Sequence, residues 1–249
     1  MSEQTLDQKQ QGRKAPVVLI AGATSASGIA CAKALMEAGA KVLAIGSDAD
    51  RLVERMPRGV LRYQCDLAYH PAVEHLRDTI HNQHGPIDVL LHLVGGWRGG
   101  KSIAGQSDED WDFLHESVMT TLRNTSRVFV EDLVASEAGR LAIVSSESVV
   151  NPTPSNANYG AVKAAAEHWV NAVARLFSKQ APQASAFSWV VKALSDKPAD
   201  QAPEGHTPVE FLAKAAVDAL RPEAAKLNGT RVALPKAGAK DRPAAAPKA

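Results

Sequence analysis

Residues 17–30 read VVLIAGATSASGIA, and the fold follows from the change of period within this stretch. Residues 17–21 form an uninterrupted apolar run, the pattern of a strand buried on both faces. Gly22 breaks the run, and beyond it Ile29, Ala32, Leu35 and Met36 recur at helical spacing. Strand, tight turn and helix make the opening unit of a doubly wound sheet, whose first turn faces the ligand crevice. There Gly22 and Gly28 would let the backbone approach a pyrophosphate, Thr24, Ser25 and Ser27 add hydroxyl donors, and Ile29 opens the helix. The same glycines also suit a turn that serves packing alone, so the segment does not decide the matter by itself.

The alternation continues outward. Gly39 ends the first helix; apolar strand patterns follow at 41–45 and 61–65, with a helical segment around Arg51 between them and a helix over 71–84 after them. The run 89–94 stops at Gly95 and Gly96. Asp108 opens a long helical pattern through Trp111, Leu114, Val118, Leu122, Val128 and Leu133, closed by Gly139. Strands at 141–144, 186–191 and 230–234 and helices at 159–177 and 209–220 complete the series. The expected fold is α/β: a Rossmann-type, doubly wound parallel sheet with helices on both faces, in a single domain over 16–235. A flexible N-terminal segment, 1–15, is expected before it and a disordered tail, 236–249, rich in Ala, Pro and Lys, after it. The stretch 195–208, rich in Pro, Asp and Gly, is expected to be a mobile loop beside an active site.

With 28 basic against 27 acidic residues the formal charge is +1, so no global field recruits nucleic acid or an anionic membrane. The first fourteen residues hold no apolar core region, and the expected location is cytoplasmic. Cys31 and Cys65 lack the spacing of a zinc site or a disulfide framework and are expected to be buried, reduced thiols.

Tyr159 and Lys163 stand four apart on one expected helix and so share a face, where an ammonium would stabilise a phenolate. A carbonyl receiving a hydride needs a proton donor and a group holding its oxygen. Tyr159 suits the first role, and Ser146, at a strand end thirteen residues earlier, suits the second. After the second strand come Gly46 and Ser47, where an acid would take an adenine ribose, with Arg51 close behind to meet a 2′-phosphate. This favours NADP, although Asp48 leaves NAD open.

The glycine turn, the strand-end serine, the Tyr159–Lys163 pair and the order of units together resemble the short-chain dehydrogenase/reductase family over residues 16–235. The resemblance implies Tyr159 as general acid or base, Lys163 holding the nicotinamide ribose and lowering the tyrosine pKa, and Ser146 orienting a small-molecule substrate. It also places Asp66 and Leu67 near the adenine, Val94 and Gly95 against the cofactor, and the chain in a homodimer or homotetramer. Four departures from the family pattern stand out: Ala26 for the middle glycine, His92-Leu93-Val94-Gly95 for Asn-Asn-Ala-Gly, Val118 for the asparagine of the long helix, and Val191-Lys192 for Pro-Gly. The runs VGGWRGG at 94–100 and TPVEFL at 207–212 resemble dihydropteridine reductases, which would put Trp97 at the mouth of the site, either stacking on a flat substrate or on the nicotinamide, or merely packing in a glycine turn. Two functions follow: a reductase of a carbonyl or conjugated imine, or a non-catalytic dinucleotide-binding redox sensor. His81 and His84 are expected on a solvated helical face, and His92 as a hydrogen-bonded core histidine.

Overall fold

The computed structural model describes residues 15–238. Seven parallel strands form one sheet: β1 (Val17–Ala21), β2 (Lys41–Gly46), β3 (Leu61–Gln64), β4 (Val89–His92), β5 (Arg140–Ser146), β6 (Ser185–Val191) and, last in the chain, Arg231–Ala233. In space the order is β3-β2-β1-β4-β5-β6 with Arg231–Ala233 at the edge, a doubly wound Rossmann-like sheet. The chain winds outward from β1 to β3 and then returns to place β4 against the other side of β1. That reversal opens a crevice between the carboxyl ends of β1 and β4.

The central strands carry no polar face because both faces are covered. Leu19 and Ala21 point into one core, Val18 and Ile20 into the other, and all four are buried. One face is covered by α1 (Ala26–Glu37) and α2 (Ala49–Arg55); the helix Val209–Asp218 packs there against α1. The other face is covered by α3 (His70–His84), a long helix from Asp108 to Ala135, and the helix Ala157–Gln180. Leu35, Leu133 and Val170, each fully buried, contribute about 1.5–3 kcal/mol apiece by leaving water.

Three local features depart from the simple alternation. The long helix is not uniform: α4 (Asp108–Leu114) passes through a π-helical stretch, His115–Thr120, into α5 (Thr121–Ala135). The Thr121 N–H reaches back five residues to the Glu116 carbonyl, and its hydroxyl takes the Ser117 carbonyl at 2.7 Å. The loop expected over 195–208 carries its own short parallel pair, β7 (Leu194–Ser195) with β8 (Thr207–Pro208). The sheet edge at Arg231–Ala233 is β9, and α6 and α7 are here Ala157–Gln180 and Val209–Asp218.

Residues 1–14 and 239–249, which hold most of the two expected terminal segments, lie outside the described residues. Residues 236–238, placed in the tail by composition, instead pack: Ala237 is buried and its N–H donates to the His206 carbonyl at 2.7 Å. His81 is likewise no bystander on a solvated face. Its Nε2 lies 2.8 Å from the buried carboxylate of Asp132, which also accepts the Ile87 N–H at 3.0 Å. His84 bonds the Tyr63 hydroxyl at 2.7 Å. Both cysteines are buried and unpaired. No described helix is long and apolar enough to cross a membrane.

Candidate active site

At the carboxyl edge of the sheet, a cleft of about 650 Å³ opens between the ends of β4, β5 and β6 and the start of α6. Six of the residues expected from sequence to serve catalysis or cofactor binding line it: Ser27, Val94, Gly95, Ser146, Tyr159 and Lys163. Tyr159 and Lys163 lie on the first turns of α6, one above the other, with the Lys163 Nζ 5.8 Å from the phenol ring centre. Ser146 is the last residue of β5 and faces them.

Lys163 is buried, and its ammonium donates to the Val144 carbonyl at 2.8 Å. Burial pushes its pKa down to about 8, against the pull of the Glu167 carboxylate one turn further along. The Tyr159 phenol is raised above its ordinary value by burial, partly offset by the Ser146 hydroxyl. The family resemblance implies a tyrosine lowered by the lysine; in this structure desolvation is the larger effect, so the phenol holds its proton at neutral pH. Ser146 Oγ accepts from the Ser148 N–H at 3.1 Å and the Ser148 hydroxyl at 2.9 Å, which leaves its own proton for an oxygen in the cleft.

The glycine turn sits at the crevice but is shaped chiefly by its own packing. Gly22 has φ +78°, and a Cβ there would stand 2.8 Å from the Val94 nitrogen; at Gly28 it would stand 2.4 Å from the Ala23 carbonyl oxygen. The Ser25 hydroxyl donates to the Gly22 carbonyl at 2.8 Å and, as the N-cap of α1, accepts the Gly28 N–H at 3.1 Å. Ile29 closes the first helical turn, its N–H on the Ser25 carbonyl at 2.9 Å. Gly22, Thr24, Ser25, Gly28 and Ile29 border the crevice and are not part of the cleft wall.

The remaining sequence candidates line up along the same edge, further from the tyrosine. Ser47 is exposed at the end of β2, its carbonyl taking the Gln64 side chain at 3.0 Å. Asp66 is exposed and accepts the Ala68 N–H at 2.9 Å, whereas Leu67 is buried and its carbonyl is held by Asn124 at 3.0 Å. Asp48, which left NAD open, caps α2 by accepting the Arg51 N–H at 3.0 Å. Arg55, overlooked in the sequence, reaches the Thr24 carbonyl at 3.4 Å and so brings a cation to the turn.

The cleft wall also uses residues that the sequence reading missed. Glu147, Ser148, Asn151, Thr153 and Asn156 lie between β5 and α6. The signal was available: a polar connection leading from the Ser146 strand end to the Tyr159 helix has to cross the carboxyl edge. Trp97 stands at the cleft rim, exposed, with its indole N–H on Asn156 Oδ1 at 3.2 Å. His92, below the floor, is buried between the Thr121 and Thr125 hydroxyls at 3.1 and 3.2 Å. Burial, reinforced by the Lys163 charge, pushes its pKa down to about 3, so it is a neutral tether.

A doubly wound parallel sheet, with a glycine turn after β1 and a serine, tyrosine and lysine converging over the carboxyl ends of its strands, is the architecture of a dinucleotide-binding Rossmann protein. More narrowly, the chain belongs to the short chain dehydrogenase family, whose model matches residues 16–181. It is 32% identical over 158 residues to an uncharacterised oxidoreductase, YvrD, of Bacillus subtilis, covering 61% of this chain and 59% of that one. It is 28% identical over 151 residues to the NADP-dependent 3-hydroxy acid dehydrogenase YdfG of Salmonella typhi, covering 59% and 61%. The chain thus spans about three fifths of the length of these curated relatives. Among solved structures it is similar to a short chain oxidoreductase of Pseudomonas aeruginosa PAO1 described as containing an atypical catalytic center. The TM-score is 0.78 at 19% identity, covering 92% of this chain and 98% of that one, a likeness of fold.

Proposed function

We propose that the chain is a nicotinamide-dinucleotide-dependent oxidoreductase that reduces a carbonyl or conjugated imine of a small molecule. The observation that carries this reading is the convergence of Ser146, Tyr159 and Lys163 on one cleft beside the β1–β4 crevice. The residues present fit a dinucleotide. An added Cβ at Gly95 would stand 3.7 Å from the Lys163 ammonium, so the glycine keeps open the space over the one buried cation of the cleft. Lys163 would hold the nicotinamide ribose, Gly95, Val94 and Ser27 the neighbouring face, the turn at Gly22 to Ile29 the pyrophosphate, and Ser47, Asp66 and Leu67 the adenosine end. When bound, the nicotinamide supplies the hydride.

Tyr159 gives its phenolic proton to the oxygen or nitrogen that becomes electron-rich, and Ser146 donates a hydrogen bond to the same atom. A phenol raised above its ordinary pKa is protonated at neutral pH, the form that reduction consumes.

NADP is the preferred cofactor. Gly46 and Ser47 offer no strand-end acid, Asp48 is engaged as a helix cap, and Arg51 and Arg55 supply positive charge to the same edge. A relative at 28% identity is named NADP-dependent, in keeping with this choice. The conjugated-imine substrate, as in dihydropteridine reductases, draws support from Trp97: an exposed indole at the cleft rim suits a flat ring system.

Tyr159→Phe tests the reading. It keeps the ring and removes the proton donor, so turnover of an identified substrate should fall by about 10²–10⁴ while NADPH affinity is retained. Undiminished turnover would remove Tyr159 from the mechanism, and nucleotide binding with no turnover of any carbonyl or imine would leave a non-catalytic dinucleotide sensor.

A further inference from the structure

Lys163 does not stand alone on its helix. One turn beyond it, Glu167 is 7% exposed, and its carboxylate is taken up from two other elements. The Ser145 hydroxyl, from β5, donates to one oxygen, and the Arg231 guanidinium, from β9, pairs with the other at 2.9 Å. Arg231 also donates to the Ser146 carbonyl at 3.1 Å. Its Cα is registered with Ser188 on β6, so the side chain spans β6 to reach both α6 and the end of β5. One guanidinium thereby joins the strand that presents Ser146 to the helix that presents Tyr159 and Lys163. The family match ends at residue 181, so this connection is made by a part of the chain outside it.

We propose that Glu167 and Arg231 are a positioning pair for Lys163: the carboxylate sets a negative charge one helical turn from the buried ammonium, and the guanidinium limits that charge while pinning the carboxylate to the end of β5. The positioning role rests on the reading of Lys163 as the cofactor-holding residue, but the electrostatic coupling does not. The ionisable groups around the Lys163 ammonium are Tyr159 and Glu167 from its own helix and His92 from β4, with Arg231 acting through Glu167; Glu147, paired with Lys236, and Lys192 line the same cleft from its other walls. His92 is neutral down to about pH 3 and Tyr159 keeps its proton through the neutral range, so Glu167 is the negative charge that the helix of Lys163 itself supplies.

Two substitutions should move Lys163 in opposite directions. Glu167→Gln keeps shape and removes the attraction, which favours the neutral amine. Arg231→Met leaves the carboxylate without its competing cation and favours the ammonium, whereas Arg231→Lys keeps a cation at that position. The measurement is an NMR titration of the lysine side chains in the full chain labelled with 13C,15N-lysine, without nucleotide or substrate, the Lys163 signal being assigned by its loss in Lys163→Met. The expected midpoint falls by about one pH unit in Glu167→Gln and rises by about as much in Arg231→Met. Arg231→Lys should stay close to the parent. A midpoint unchanged in both of the first two variants, or moved in the same direction by both, overturns the proposal. Because the titration contains no nucleotide, its outcome is independent of whether the chain proves to be a dehydrogenase.

Discussion

At the residue scale the chain shows how one position can serve two ends. Gly28 opens α1 toward the crevice and is also the only residue type that fits there, since any Cβ would overlap the Ala23 carbonyl, a backbone atom that cannot rotate away. Gly28→Ala should therefore move the turn, costing about 1–3 kcal/mol of stability. Thermal unfolding would show the loss, and a nucleotide titration of the folded variant should show binding weakened with it. Parent-like stability would mean that the turn is slacker than this packing implies. That Tyr159, Lys163 and Ser146 share one cleft was legible in the sequence because their placement depends on local spacing along one helix and on a strand end. Glu167 and Arg231 were not, since 64 residues separate them and only the sheet order brings β9 within reach of α6. Asp48 was half legible: its type and place were plain, but its engagement as the cap of α2 is a matter of side-chain geometry.

At the element scale, the strand and helix alternation was legible because each strand of the sheet centre is covered on both faces and reads as an unbroken apolar run. The π-helical stretch within the long helix was not, because Leu114, Val118 and Leu122 keep helical spacing whether or not one residue is inserted. It changes where side chains arrive, and Val118 arrives beside Gly95 at the cleft. Just beyond it, Thr121 and Thr125 hold His92 and so tie the end of β4 to α5. This tether carries a pH dependence with a definite sign. His92 is neutral in the folded chain down to about pH 3, whereas a free imidazole titrates at 6.5, so between those limits the unfolded chain binds the extra proton. Its contribution is fully present above about pH 6.5 and is lost as pH falls toward 3, at about 1.4 kcal/mol per pH unit. Denaturant unfolding at a series of pH values should show His92→Gln to be less sensitive to acid over that window than the parent; equal slopes would mean that His92 already ionises in the folded state.

At the scale of the whole molecule, the reversal of winding between β1 and β4 decides where chemistry can occur. It sets the glycine turn beside Val94 and Gly95, and the next strand over presents Ser146 to Tyr159 and Lys163. The proposed dinucleotide would lie along this one carboxyl edge, its phosphates at the glycine turn and its reacting end over the cleft. This edge should bind a nicotinamide dinucleotide, and titration of the purified chain with NADPH and with NADH, following tryptophan fluorescence and the thermal midpoint together, decides whether it does. Of the four tryptophans, Trp97 stands at the cleft rim, and its share of the fluorescence reports on the cleft. Saturable binding is expected, tighter for NADPH, with a stability gain of about 2.7 kcal/mol at a hundredfold excess over Kd. No change in either signal with any reduced or oxidised nucleotide would contradict it.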